Sequence, residues 1–415
     1  MDDDRYRLSD DGASVKGFRD GTHRLVAPAR TLERMQPLMP VMGVTRLANL
    51  TGLDLIGIPV VMAVRPNARS LAVSSGKGLT LEAAMASGLM EAIELYHAER
   101  MRRPLLLASF EEIRQSHPLV DLSRLPHLSV SRYHPNRSIL WVEGYELLER
   151  EPRFVPYEMV HANFTLPLPA GSGCFPMNSN GLASGNHVLE AISHGICELV
   201  ERDATSLWRL TPPALQRGRR VGPSSIEDAD CRRLLDLFRE ARVAVGLWDI
   251  TSDVGIATFE CLTVDEEERP LREMYATSGI GCHPSRGVAA VRALTEAAQG
   301  RMIYIAGSRD DRDRAAYEQA RDPELTRSVR ERIAGGESAL RDFRQVASQE
   351  HESFAVEVRW ELERLAAVGI DEVIVVDLSR PEFDVPVVRV VIPGLEGIAG
   401  SPGYVPGARA RAAHA

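Results

Sequence analysis

The chain has 415 residues, 44% hydrophobic and 26% charged, with 49 Lys and Arg against 58 Asp and Glu for a formal charge of −9. This is the composition of an ordinary globular chain, which needs neither disulfides nor metal to bury a core. The surplus of acid argues against a surface given over to nucleic acid. The N-terminus, MDDDRYRLSDDG, lacks the basic and apolar regions of a signal peptide and reads as a frayed, solvated tail. The apolar run 55–64 is broken by Gly57 and Pro59 and is too short to span a bilayer, so it reads as a buried strand. Five scattered cysteines (174, 197, 231, 261, 282) form no CxxC pair and read as reduced thiols, so a cytoplasmic chain with no membrane segment is expected.

In chain order, strands are predicted at 58–64 (IPVVMAV), 139–147, 243–250, 256–264, 373–378 and 387–394 from their β-branched and aromatic content. Three segments resemble one another: 70–100, 173–204 and 275–301. Each starts with an extended piece, passes a Gly/Ser-rich loop and enters an Ala- and Leu-rich helix. Apolar positions 81, 84, 85, 89, 93 and 96 in the first helix, and 188, 192, 196, 199 and 200 in the second, follow helical spacing. The units lie about a hundred residues apart, too far for a solenoid, which suits one composite domain of repeated strand–loop–helix units. The stretch 159–189 contains no Asp, Glu, Lys or Arg, and a loop of that length and composition is often functional. The Arg/Asp/Glu-rich stretch 308–344 reads as one or two solvated helices, and the final GARARAAHA as disordered.

Each repeated helix carries two polar side chains three residues apart: Glu91 and Glu94, Glu198 and Glu201, Glu296 and Gln299. Residues at this spacing share a helix face. Two carboxylates at ~4 Å repel by about 1 kcal/mol in water and about 4 kcal/mol at an effective dielectric of 20. Neighbours here are Ala, Ile, Leu and Gly, so these faces are partly buried and need cations. A single ExxE pair is ordinarily a solvated face, but three similarly built units are a different pattern. Oxygen donors without a Cys/His cluster suit a hard cation such as Mg²⁺. Arg202, Arg292, Arg301, Asn186 and Gln299 lie beside the glutamates and suit phosphate oxygens. No GxxxxGK[ST] or GxGxxG motif is present, so the residues alone leave a helix-built Mg-nucleotide site and solvated helix faces both open. His97 and His194 read as core histidines, Trp208, Trp248 and Trp360 as core, and Arg286 as a surface arginine. His283 is open between loop binding and turn chemistry. Cys174 and Cys282, both in Gly-rich loops, are the candidates for a reactive thiol, and read as buried.

At these residues the chain resembles the YcaO family of ATP-dependent peptide-backbone-modifying enzymes. The likeness is carried by GKG (76–78) with Ser87, Glu91 and Glu94 in SGLMEAIE, by Asn186, Glu190, Glu198, Glu201 and Arg202 in GNHVLEAISHGICELVER, and by Arg292, Glu296 and Gln299 in RALTEAAQ. It spans about 45–395, with a 1–44 N-terminal segment and a flexible 396–415 tail outside it. The resemblance implies an α/β (α+β) fold with ATP bound between helices. It implies nucleotide contacts from Lys16, Ser87, Glu91, Asn186, Glu190, Arg202, Arg292 and Gln299, and Mg²⁺ ligands Glu91, Glu94, Glu198, Glu201 and Glu296. It also implies the chemistry. A nucleophile adds to a backbone amide, ATP phosphorylates the resulting oxyanion, and phosphate leaves. The segment 45–78 is most similar to members encoded beside TfuA-type proteins, which favours thioamide formation on a ribosomally made peptide or protein, with a TfuA-like partner supplying sulfide. An azoline-forming cyclodehydratase and a non-catalytic ATP-binding adaptor are the alternatives. Many azoline-forming members end in a PxPxP tail, whereas this sequence ends SPGYVPGARARAAHA. A homodimer is expected; no catalytic base is assigned.

Overall fold

The computed structural model describes residues 3–9, 12–267, 276–311, 314–335 and 340–414. The strands are β1 (Arg46–Asn49), β2 (Val60–Val64), β3 (Val73–Lys77), β4 (Leu105–Ala108), β5 (Ile139–Glu146), β6 (Glu151–Pro156), β7 (Leu182–Ser184), β8 (Val243–Asp249), β9 (Thr258–Asp265), β10 (Thr277–Cys282), β11 (Ile374–Asp377) and β12 (Val387–Val391). The helices are α1 (Pro28–Met35), α2 (Met39–Met42), α3 (Leu81–Glu99), α4 (Phe110–Ile113), α5 (Val188–Leu210), α6 (Pro213–Arg217), α7 (Ala229–Glu240), α8 (Arg286–Ala306), α9 (Arg314–Ala320), α10 (Pro323–Ala334), α11 (Phe354–Ala366) and α12 (Ala408–His414). Sheets run β1-β2-β3, β10-β9-β8, and β4-β5-β11-β12-β7 with β6 also on β5. All of these pairings are antiparallel. Helices packed on antiparallel sheets make this an α+β arrangement.

The three similar segments form β3–α3, β7–α5 and β10–α8, joined by loops of equal length: 78–80, 185–187 and 283–285. The third segment's first residue, Tyr275, lies outside the described residues. In two of the units glycines set how close the strand lies to its helix. A Cβ on Gly76 would lie 2.0 Å from the Ala84 carbonyl oxygen, and one on Gly281 would lie 2.2 Å from that of Ala289. Such contacts are possible only without a side chain, so β3 and β10 lie on the backbone of the helices that follow them. Helix starts are fixed by caps: the Thr80 hydroxyl accepts from the Ala83 N–H, and the His187 ring from the Leu189 N–H. Val60–Ala63 of β2 are buried, as the apolar run predicts, although Leu55 is exposed.

Three expectations need correction. The N-terminal segment is no frayed tail where described: residues 3–6 form a 3₁₀ turn, and Tyr6 is buried against Tyr145 with ring centroids 5.0 Å apart. The DDD and SDD acids lie partly outside the described residues. The final segment is a helix: Arg409 of α12 bridges to fully buried Asp203 at 2.8 Å, and Glu396 accepts from Tyr404 Oη and the Gly407 and Ala410 N–H groups, each at 2.8 Å. The stretch 308–344 does contain two helices, but α10 is more than solvated surface. Its Ile333 joins the Trp208/Trp248 core, with Arg332 over the Trp248 ring at 4.7 Å. Residues 312–313 and 336–339 of that stretch lie outside the described residues.

Candidate active site

The faces of α3, α5 and α8 that carry the glutamates turn toward one another around a cavity of about 580 Å³. That size is within the range of small-ligand sites, about 300–1,000 Å³. Ser87, Glu91, Glu94, Asn186, Glu190, Glu198, Glu201, Arg202, Arg292, Glu296 and Gln299 all line it. Backbone donors orient several carboxylates: Ser75 N–H donates to Glu91 (3.2 Å), Gly181 N–H to Glu198 (3.3 Å) and Ile280 N–H to Glu296 (3.4 Å). In each unit, therefore, a residue on or just before the strand holds the glutamate of the helix that follows.

Electrostatics show how closely the three helices converge. Burial pushes Glu91 up to about 7 against the pull of Arg309 and Lys77, and Glu198 adds to the rise. Burial pushes Glu94 up to about 8, opposed by a 2.7 Å hydrogen bond from the Ser184 hydroxyl and reinforced by Glu91 and Glu198. Glu201 is raised by burial, with Arg202 lowering it and Glu296 raising it. Glu296 is held below the ordinary carboxyl range. Burial works against this, but Lys77 and Arg202 outweigh it. Arg202 bridges Glu198 at 3.4 Å and Glu201 at 3.3 Å. Raised carboxyls crowded together with too few cations are what a cation site looks like before its ion binds. The all-oxygen donor set fits a hard ion such as Mg²⁺.

Three cations in the cavity wall escaped the sequence reading or were left without a role. Lys77, in the GKG motif, pairs with Glu296 and donates to Gln299 at 3.3 Å. Arg24 reaches in from the N-terminal segment, 3.8 Å from Glu190, and Arg309 lies near Glu91. Lys77 was legible in its motif; Arg24 and Arg309 have no local signal. His194 lines the cavity rather than filling core. Its Nε2 accepts from Arg292 at 3.2 Å, and burial together with Arg292, Arg24 and Lys77 keeps it neutral. Glu190 accepts from the Leu25 N–H at 3.1 Å, and Asn186 from Thr31 and Arg34, each at 3.2 Å, so both also anchor the N-terminal segment.

Two expected residues stand elsewhere. Lys16 is outside the cavity wall. Its ammonium is fully buried on Glu357 of α11, beneath the face of Phe354 (5.0 Å), rather than facing the cavity. His23, His283 and Glu357 also cluster there, but Lys16 already supplies the cation and burial holds both histidines neutral, His23 down to about 4. His283 Nδ1 accepts from the Ser285 N–H at 2.9 Å, which is turn chemistry. Arg301 is buried between Asp54 (3.3 Å) and Asp265 (2.9 Å), away from the cavity. His97 is core, with Nδ1 on the Ile93 carbonyl at 2.7 Å, and Arg286 contacts the Arg344 and Val346 carbonyls. Cys174 and Cys282 are both fully buried. The stretch 159–189, expected as loop throughout, also holds β7 and the start of α5; its loop part wraps the Glu158 carboxylate, which accepts from Cys174 and Phe175 N–H groups at 2.9 Å each.

Carboxylates from three strand–loop–helix units, with lysine and arginines between them and no P-loop, define a site for a metal-complexed polyanion built from helix faces. Residues 75–396 match the family model described as YcaO cyclodehydratase, ATP- and Mg²⁺-binding, and the chain belongs to the YcaO family. It is similar to an uncharacterized protein in the tfuA 3′ region of Rhizobium leguminosarum bv. trifolii, 36% identical over 393 residues, covering 92% of this chain and 91% of that protein. An uncharacterized protein of Methanothermobacter thermautotrophicus is also 36% identical, over 388 residues, with 89% and 94% coverage. Among solved structures, YcaO from Methanopyrus kandleri bound with AMPPCP and Mg²⁺ matches with a TM-score of 0.73 and 25% identity, covering 95% of this chain and 98% of that one. ATP and Mg²⁺ are thus the ligands of this family. Among the described residues, no helix is long and apolar enough to cross a membrane.

Proposed function

We propose that the chain activates a peptide backbone amide by ATP-dependent phosphorylation of its oxygen, for thioamide formation with sulfide supplied by a TfuA-like partner. The observation that carries the activation step is the meeting of the Glu91/Glu94, Glu198/Glu201 and Glu296/Gln299 faces around one cavity with Lys77, Arg202 and Arg292. An amide oxygen is a poor leaving group, and its phosphate ester is a good one. Phosphoryl transfer asks of a protein chiefly positioning and charge neutralisation. Mg²⁺, held by Glu91, Glu94, Glu198, Glu201 and Glu296, would supply that neutralisation at the phosphates. Arg202, Arg292 and Lys77 provide fixed positive charge, and Ser87, Asn186 and Gln299 provide neutral polar contacts to the nucleotide. The thioamide assignment is supported by the 36% identity to a protein of a tfuA 3′ region.

The test is the mass change of a candidate substrate peptide incubated with the purified chain, a TfuA-like partner, sulfide and Mg-ATP. Exchange of one oxygen for sulfur is expected. Loss of one water instead would assign the chain as an azoline-forming cyclodehydratase, the reading that the family description favours. Modification that persists in Glu198→Gln or Glu201→Gln variants would assign it as an adaptor.

A further inference from the structure

The two ends of the cavity differ. One is closed by the N-terminal segment, where Gly21 packs on Leu79, the Leu25 N–H donates to Glu190 and the Thr31 hydroxyl donates to Asn186. The other lies at the C-terminal end of α8. Ile303 lines the cavity there, about 16 Å of helix past Arg292. Gly307 then ends α8 in the left-handed region (φ 60°), with its N–H on the Ile303 carbonyl, and the chain turns so that Arg309 comes back to the cavity wall. Beside it, Asp310 accepts from the Ala72 N–H at 3.0 Å, which ties the turn to the β2–β3 connection, whose Leu71 also lines the cavity. Asp311 orients the Arg309 guanidinium, accepting from Nε at 2.7 Å and from Nη2. Nη1 has no hydrogen-bond partner among the described residues, and the side chain is 21% exposed, so a ligand can reach it. The guanidinium faces inward: against the burial that raises Glu91, Arg309 is the strongest opposing charge, ahead of Lys77.

A magnesium nucleotide fits between these ends in one sense. Its phosphates belong in the middle, with the glutamates, Lys77 and Arg202. Its sugar and base need hydrogen-bonding partners and apolar cover, which Asn186, Glu190, Val26 and Leu79 offer beside the N-terminal segment, whereas Asp20 at that end would repel a phosphate. The terminal phosphate then faces Arg309, and its acceptor must come from that side. In the reaction proposed above the acceptor is an oxygen. Hydrosulfide adds to the amide carbon, and the carbonyl electron pair moves onto oxygen. That oxygen bonds the terminal phosphorus while the bond to the β-phosphate oxygen breaks and ADP leaves. Phosphate leaves as the C–O bond breaks, the sulfur gives up its proton, and C=S remains. A charged oxygen approaching a triphosphate needs a fixed cation on the side away from the nucleotide, and a guanidinium held by its Nε edge presents its remaining N–H donors to it.

We propose that Arg309 is the catalytic cation of the acceptor side: it donates to the oxyanion of the attacked amide as the terminal phosphoryl group is transferred, and the peptide backbone enters on that side, past Leu71. This rests on the reading of the cavity as the amide-activating site. Lys77, Arg202 and Arg292 serve the nucleotide, and Arg309 stands beyond its phosphates.

The test compares a ground-state analogue with a mimic of the transfer. Vanadate bound with Mg-ADP takes the trigonal-bipyramidal shape of a phosphoryl group being transferred, with an apical oxygen where the acceptor sits, and AMPPCP has no such oxygen. Calorimetry on the full chain measures the affinity for Mg-AMPPCP, and for vanadate in saturating Mg-ADP. Arg309→Gln is expected to weaken vanadate at least about ten-fold more than it weakens Mg-AMPPCP, because the donor is lost only to the transfer mimic. Arg309→Lys, which keeps the charge without the fork, should fall between, and decides the matter should the Gln variant fail to fold. Equal weakening of the two ligands, vanadate affinity untouched in both variants, or no vanadate binding by the wild type would overturn the proposal. Vanadate binding that depends on Arg309, with no mass change in the peptide assay, would instead leave Arg309 on the acceptor side and sink the amide as the acceptor, so the two failures are distinguishable.

Discussion

Replacing Glu94 by Gln should stabilise the free protein while destroying its metal-dependent nucleotide binding. Glu94 is pushed up to about 8 by burial, and by Glu91 and Glu198 against the Ser184 hydrogen bond. In the unfolded chain a glutamate titrates near ~4.3. The folded state therefore binds this proton more tightly. The resulting penalty on folding is absent below the unfolded value, grows as pH rises, and levels off above about 8. Were the carboxyl wholly cut off from water, the cost at neutral pH would be about 3–4 kcal/mol. Glu94 faces the cavity and is partly accessible, so about 1–2 kcal/mol is the expected gain for Gln, which keeps the oxygen that accepts from Ser184. Thermal melts of both proteins at pH 6, 7 and 8, without metal or nucleotide, should show E94Q melting a few degrees higher, with a gap that widens as pH rises. AMPPCP with Mg²⁺ should then raise the melting temperature of the wild type and not that of E94Q. A gap that is constant or narrows with pH would refute the burial argument. A full nucleotide response in E94Q would remove Glu94 from the metal ligands.

Lys77→Met leaves Glu296 and Glu201 facing each other with Arg202 as their nearest cation, so Mg-AMPPCP affinity by calorimetry should fall at least about ten-fold, the loss of one charge-assisted contact. Arg409→Ala strips fully buried Asp203 of its guanidinium, which should cost about 3 kcal/mol in urea unfolding and expose the C-terminal helix to proteolysis. Gly76→Ala places a Cβ 2.0 Å from Ala84 O and 2.1 Å from Gly88 N, so about 3 kcal/mol or more should be lost, whereas Gly52→Ala, with open space around its Cβ, should stay within about 0.5 kcal/mol.

The parts of the site that could be read from sequence are those whose cause is local. A glycine-rich strand, a short loop and an apolar-faced helix are specified within thirty or so residues, and the Glu pairs travel with them. The same locality explains the misses. Lys16 looked like a phosphate ligand because the partner that claims it, Glu357, lies 341 residues away in the chain. GARARAAHA looked disordered because nothing nearby shows that Arg409 will meet Asp203. Arg24 and Arg309 enter the cavity from segments with no motif of their own. Strands β1, β4 and β6 are short or contain polar residues, and exist because an apolar neighbour, β2 or β5, offers them a ladder.

The surplus of acid in the composition takes on a different meaning at the cavity. Among the described residues, seven acidic side chains (Asp20, Glu91, Glu94, Glu190, Glu198, Glu201 and Glu296) line it against five basic ones (Arg24, Lys77, Arg202, Arg292 and Arg309). A triphosphate meeting that wall with its carboxylates ionised would be repelled, and divalent ions bound with it would offset both its charge and the wall's surplus of acid. The raised Glu91 and Glu94 point the same way, since a bound cation would favour their ionised forms over the protonated ones. The N-terminal segment belongs to this balance as well. Arg24 supplies one of the five cations, and the Lys16–Glu357 pair and the Glu190–Leu25 hydrogen bond tie the segment that carries it to α11 and α5. The cavity is therefore closed by residues that precede the three repeated units, and its electrostatics depend on that segment being docked.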